Sequence, residues 1–121
     1  MMKNTITIAE CTSIEKAKVY TVAAITDYVS SSVAGTTVIK KITGDITVVS
    51  FDAGRGLAEK MSAFDIFVMI IEGKAEITIN GKSNTVCSGQ SIIVPANTRL
   101  IIQATERFKM VRTIIRSGYE Q

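Results

Sequence analysis

Between Glu72 and Asn97 the chain reads EGKAEITINGKSNTVCSGQSIIVPAN. This segment can be parsed almost residue by residue. Asn80-Gly81 is the strongest short-range hairpin signal in the chain, because both central positions of a type I′ turn require positive φ. Before it, "AEITI" alternates apolar and polar residues, the period of a strand with one buried face. After it, "KSNTVC" runs back antiparallel. Glu72-Gly73-Lys74, Ser88-Gly89-Gln90 and Pro95-Ala96-Asn97 are further turns, and "SIIV" lies between the last two.

The same texture extends to both sides. "TTVIKKI" and "DITVVSF" are rich in β-branched residues, and Thr43-Gly44-Asp45 between them reads as a hairpin turn. "IFVMII" leads into Glu72. "RLIIQAT" and "KMVRTII" form the last two strands, joined through Glu106-Arg107. Eight or nine short strands with regular turn signals predict an antiparallel sandwich or barrel in which neighbouring strands pair. Closure would remove the edges that so Val/Ile-rich a chain otherwise offers for aggregation.

Residues 1–35 read differently, as an N-terminal arm packed on a barrel of residues 36–121. "ITIAE" has the alternation of a short strand. "VYTVAAITDYV" has partial helical spacing, and "SSSVAG" at 30–35 is the most loop-like stretch. No second domain and no repeat is visible.

Composition narrows the function. At 121 residues, 46% apolar and 21% charged, the chain suits one core. The net charge of +3 comes from 14 Lys and Arg against 11 Asp and Glu, with Lys40-Lys41 the only adjacent cations. Without Trp, and with only four Phe and three Tyr, nucleic-acid binding is disfavoured. No apolar run is long enough for a membrane helix, and MMKNTITIAE has no secretory core, so a cytoplasmic protein is expected. Cys11 and Cys87 are too few for a disulfide framework. Cys87, in a strand after Thr85-Val86, reads as a small buried hydrophobe.

From Gly54 to Ala104 the pattern resembles the cupin superfamily, the double-stranded β-helix or jelly-roll barrels. Gly54 and Gly73 match the ends of the first cupin motif. Lys60 and Ser62 fall at its two histidines, and Ile66 at its glutamate. In the second motif Gly89 and Pro95 match. Asn97 replaces a glycine, Leu100 the histidine and Ala104 the asparagine. Asn97 suits a left-handed turn, so the backbone skeleton is kept. The resemblance implies an all-β cupin barrel with a short N-terminal arm over roughly residues 36–116.

The ligand chemistry is not kept. A cupin metal needs imidazole and carboxylate donors on one point, and this chain contains no histidine. Ile66 and Leu100 offer no donor atom, and Lys60 is a cation. No metal and no cofactor is expected, and oxygenase chemistry is disfavoured. Without histidine a Ser-His-Asp hydrolase is excluded, so no catalytic residue is assigned.

The resemblance turns Lys60, Ser62, Ile66 and Leu100 into the barrel, and alternation carries Val68 and Ile102 inward with them, beside Ile70 and Ala104. Lys60, Ser62, Ile66, Val68, Leu100 and Ile102 are therefore the expected ligand-binding set, two polar groups over an apolar floor. Lys60 would serve as a hook for an anion. The alternatives are a rim lysine in water, or a catalytic amine in an isomerase- or lyase-like enzyme. Asp65 reads as a turn or rim carboxylate, and Arg55, Arg99 and Arg112 as solvated charges that could lie near the mouth. The functions in view are small-molecule binding or regulation, a metal-independent enzyme using Lys60, and an interaction module with a packed interior. Phe67, Met69 and Ile71 make the other face of their strand equally apolar, so either the leading segment or a second copy covers it. The resemblance implies a homodimer.

Overall fold

The computed structural model describes residues 7–9, 14–59 and 61–116. Lys60 and Cys11 lie outside the described residues. Among these are ten strands: β1 (Thr7–Ala9), β2 (Val33–Lys41), β3 (Gly44–Phe51), β4 (Gly56–Glu59), β5 (Ile66–Glu72), β6 (Lys74–Ile79), β7 (Lys82–Cys87), β8 (Ser91–Val94), β9 (Leu100–Gln103) and β10 (Phe108–Ile115). The helical spacing in "VYTVAAITDYV" yields one turn of 3-10 helix, Val22–Ala24.

The strands form two facing sheets. One has six strands in the order β1-β2-β3-β10-β5-β8, and the other four in the order β4-β9-β6-β7. This is the expected all-β jelly-roll barrel. Its pairing differs from the expected meander. β1 pairs with β2 in parallel, and only β2–β3 and β6–β7 are antiparallel pairs of consecutive strands; from β3 onward every connection except β6–β7 crosses between the sheets. β10, near the end of the described chain, lies between β3 and β5 at the centre of the larger sheet. A chain of tight turns reads as consecutive hairpins. Here most of those turns are corners.

Gly73 shows how a corner differs from a hairpin. Its φ is +78°, and a Cβ there would sit 2.3 Å from the Arg107 carbonyl oxygen. Only glycine allows β5 to turn into β6 against the chain entering β10. The Asn80-Gly81 turn is a true hairpin, with φ of 49° and 82°, as a type I′ turn demands. β2 starts earlier than expected: Val33–Gly35 pair with Phe51, Ser50 and Val49 of β3. Burial against β3 outweighs the loop-like composition of "SSSVAG", leaving only Ser30–Ser32 outside the strand.

The core fills the space between the sheets. Val68, Ile70, Ile77, Ile102, Phe108 and Met110 are fully buried there. Phe51 and Phe108, opposite each other on β3 and β10, stack with ring centroids 4.5 Å apart and close one end of the barrel. Burying each such aromatic stabilises by about 2–3 kcal/mol.

Of the N-terminal arm, residues 7–9 join the larger sheet as β1, and residues 23–28 pack against that sheet's outer face. Thr26 donates to the Val48 carbonyl and Ser50 to the Asp27 carbonyl. Lys109 donates to the carbonyl of Ala23, and the Tyr28 hydroxyl donates to Glu72. The arm thus covers the part of the outer face around Ser50 and Lys109. It leaves Phe67 39% exposed, and Ile39, Ile93 and Ile115 more so.

Candidate functional site at the barrel mouth

The end of the barrel opposite the Phe51–Phe108 stack is built where β4, β6, β8 and β10 finish and β3, β5 and β9 begin. Alternation sets what points in. On β5, Ile66, Val68 and Ile70 are buried, while Phe67 between the first two is exposed. Leu100, Ile102 and Ala104 are buried on and after β9. Ile66, Val68, Leu100 and Ile102 thus belong to one interior cluster, together with Ile114 and Val94 and partly buried Phe64, Ile79 and Ile92.

Ser62 takes a backbone role. Its Oγ accepts the amide hydrogen of Phe64 at 3.0 Å, and its carbonyl accepts that of Asn97 at 2.6 Å. Asp65 accepts the Ala96 amide hydrogen at 2.8 Å, so it holds the Pro95–Asn97 turn. Asn97 has φ +63°, the left-handed geometry expected where the cupin motif carries glycine. The 62–65 segment and the 95–97 turn are thereby tied together at the mouth.

Arg112, which the sequence places among solvated charges that could lie near the mouth, belongs to the site. Arg112 is paired across the sheet with Thr47 on one side and Val68 on the other, so it shares Val68's inner face. Asp45 shares a row with Ile114 and Ile66. Arg112 Nη1 lies 3.8 Å from Asp45 Oδ1, and Arg116 Nη2 lies 2.7 Å from Asp45 Oδ2. Two guanidinium groups thus converge on one half-buried carboxylate at the mouth. Arg112 is no solvated surface charge. The available signal was the alternation Met110, Arg112, Ile114. It was ambiguous because Val111, Thr113 and Ile115 are nearly as apolar.

Other side chains stay apart from this site. Arg55 and Arg99 are exposed. Cys87 is exposed and free, which corrects its reading as a buried hydrophobe. Val86 beside it takes the inward position, so strand parity turns Cys87 out.

Neither a family model nor a curated protein matches the chain. Solved structures do. A conserved protein of unknown function from Streptococcus pyogenes superposes with a TM-score of 0.81 at 30% identity, covering 87% of this chain and 92% of that one. A cupin 2 conserved barrel domain protein from Leptotrichia buccalis has a TM-score of 0.74 at 25% identity, covering 78% of this chain and 46% of the other. The chain has the fold of the cupin superfamily. A cupin superfamily protein from Desulfitobacterium hafniense shares the fold over 97% of this chain and 99% of its own length, with a TM-score of 0.80 at 20% identity.

The donor set of this cupin does not fit a metal of the usual kind. Of the positions matching the superfamily's ligands, Ile66 and Leu100 have no donor atoms and are packed in the core. Ser62 Oγ is occupied with the Phe64 amide. Among the described residues no three His, Cys, Asp or Glu side chains gather. No chemical step is therefore routed through a metal.

Proposed function

We propose that this cupin binds a small anionic molecule at its barrel mouth without a metal. The observation carrying this reading is Arg112, whose guanidinium rises from the inner face beside Val68 toward Asp45. A planar guanidinium fork matches carboxylate and phosphate groups, and a low-dielectric wall strengthens the attraction. In this reading Lys60 and Ser62 complete the polar rim, and Ile66, Val68, Leu100 and Ile102 form the floor. Asp45 orients Arg112 in advance, which lowers the ordering cost of binding.

The test is a thermal-shift screen of organic acids and sugar phosphates on wild type, Lys60→Ala and Arg112→Gln. A true ligand at 100 times its Kd stabilises the folded state by about 2.7 kcal/mol. The shift should shrink in both variants. If no compound separates wild type from either variant, the anion site is refuted.

The complete burial of Val68 and Ile102 favours a second reading, an interaction module whose interior is packed shut. Absence of any saturable small-molecule binding, with a partner captured on the outer surface, would support it. The alternative of a metal-independent enzyme would require turnover that depends on Lys60.

A further inference from the structure

On one side of the barrel each sheet ends in a strand paired on one flank only, β7 in the smaller sheet and β8 in the larger. Between them lies an open cleft of about 490 Å³, lined by Asn84, Thr85 and Val86 of β7 and by Gln90, Ser91 and Ile92 opposite. Its polar side chains are hydroxyls and amides, and no charged side chain lines it. The registers fix which main-chain groups face the cleft. The two-residue turn at Asn80-Gly81 makes Ile79 and Lys82 a hydrogen-bonded pair, so Ile77–Asn84 and Ala75–Val86 are bonded pairs too. The N–H and C=O groups of Ser83 and Thr85 therefore turn away from β6, and among the described residues no main-chain partner meets them. At the next such position, Cys87, both groups are engaged. Its amide hydrogen goes to Gln90 Oε1 at 2.9 Å, and its carbonyl accepts the Gln90 amide hydrogen at 2.8 Å. The open edge thus ends at a built corner. The Ser83 and Thr85 hydroxyls both donate to Glu76, which braces this edge from the outer face.

We infer that this edge of β7 takes up an extended peptide of another protein as an added antiparallel strand, with an acidic residue at the peptide's C-terminal end. The outward groups of Ser83 and Thr85 repeat every second residue, the spacing at which an incoming strand bonds an exposed edge. From Lys82 to the Cys87 corner the edge admits about four residues, about 14 Å of strand. The uncharged lining, with Val86 buried and Ile92 half-buried, suits small polar and β-branched side chains. Folded proteins commonly blunt such an edge with proline or charge, and Ser83–Val86 has neither. Antiparallel pairing, the more stable form, brings the peptide's C-terminal end to Lys82. Arg99 belongs to the same end, because its carbonyl accepts the Asn80 amide hydrogen and its own amide donates to Asn80 Oδ1, each at 2.9 Å. Lys82 and Arg99 are both exposed, so two cations await a carboxylate there. A second copy of the chain does not supply it. Its β7 reads KSNTVC and contains no acid. The cleft shares no lining residue with the anion-binding set at the mouth, so the two sites stand or fall separately.

The test is fluorescence anisotropy with an array of labelled peptides. Each has a short core drawn from Thr, Val and Ser and ends in a pair of Glu or a pair of Lys. Glu-ended peptides should bind about tenfold or more tightly than their Lys-ended counterparts and weaken as salt rises. Binding should shift the amide NMR signals of Ser83 and Thr85 and slow their hydrogen exchange. Thr85→Pro removes the cleft-facing N–H and leaves the ladder to β6 intact, a change that an edge strand accepts. It should weaken binding about tenfold. The double variant Lys82→Glu, Arg99→Glu should invert the preference toward Lys-ended peptides with an unchanged circular dichroism spectrum, and it decides alone if Thr85→Pro does not fold. Absence of binding by every peptide overturns the inference. So does an acidic preference that survives the double variant, or self-association of the chain that Thr85→Pro abolishes.

Discussion

Lys109 and Ala23, 86 positions apart, are joined by a hydrogen bond from the lysine ammonium to the main-chain carbonyl. The ammonium is nearly buried, 4.7 Å from the centroid of the Tyr28 ring and 4.0 Å from Glu72. Tyr28 in turn donates to Glu72 at 2.6 Å, and Arg107 lies over the same ring. Burial, then this bond, pushes the Tyr28 hydroxyl pKa well above its ordinary value. Polar contacts thus fasten the arm, with a cation tolerated because oxygen atoms and a π-face surround it.

Replacing Lys109 with Met should therefore loosen the arm before it harms the barrel. The methionine keeps most of the stem, so packing survives, but the Ala23 carbonyl loses its donor. The expected cost is about 1–3 kcal/mol. Amide exchange should rise across residues 22–32 and stay slow in β5 and β6. Equal acceleration in both regions would mean that the latch supports the whole fold.

Acid should act on the arm through Asp52. Its carboxylate accepts the Ser31 amide hydrogen at 2.6 Å and the Arg107 Nε hydrogen at 2.9 Å. These bonds, the Ser31 amide first, hold its pKa below the usual carboxylate range. A depressed folded-state pKa contributes stability that is full above the unfolded value, near 4, and vanishes as pH falls through the folded value. Asp52→Asn should thus lower the melting temperature at neutral pH, with the gap from wild type closing as pH falls below about 4. A gap that is constant with pH would show that Asp52 works by something other than its charge.

Glycines of similar φ should respond unequally to alanine. Gly73 and Gly81 have φ of +78° and +82°. An added Cβ at Gly81 meets nothing within 4 Å, whereas at Gly73 it meets the Arg107 carbonyl oxygen. Gly81→Ala should cost only the left-handed strain, about 1–2 kcal/mol. Gly73→Ala must also shift the backbone entering β10 and should cost about 3 kcal/mol or more. Chemical denaturation of the two variants makes the comparison, and equal losses would refute the close approach.

That pair also marks what the sequence could disclose. Turns are local, so Asn80-Gly81, Gly73, Gly89 and Asn97 were legible as such, and with them the cupin skeleton. Pairing between distant strands is not local. Nothing near Phe108–Ile115 signals that this strand lies between β3 and β5, because loop closure leaves no mark in composition. The inward set Ile66, Val68, Leu100 and Ile102 could be read because polar or motif positions fixed the parity. On β10 both faces are apolar, so the sequence leaves parity undetermined and Arg112 reads as a surface charge. The same ambiguity hid the division of the outer face, half under the arm and half open along Ile39, Phe67 and Ile93.

Arg112 offers the sharpest separation of stability from binding. It lies between Met110 and Ile114 on the inner face, where an aliphatic side chain would pack well. Replacing a buried ion pair with apolar groups is often neutral or stabilising, provided no charge is orphaned. Arg112→Leu leaves Asp45 paired with Arg116 at 2.7 Å. Its stability should therefore stay within about 1 kcal/mol of wild type. Asp45→Asn instead leaves two guanidinium groups without their shared carboxylate, and should cost about 1.5–3 kcal/mol. If Arg112 serves an anion, the leucine variant should keep its melting temperature and lose the anion-induced shift seen in wild type. A leucine variant that loses several kcal/mol would instead make Arg112 a structural brace of the β3–β10 pair.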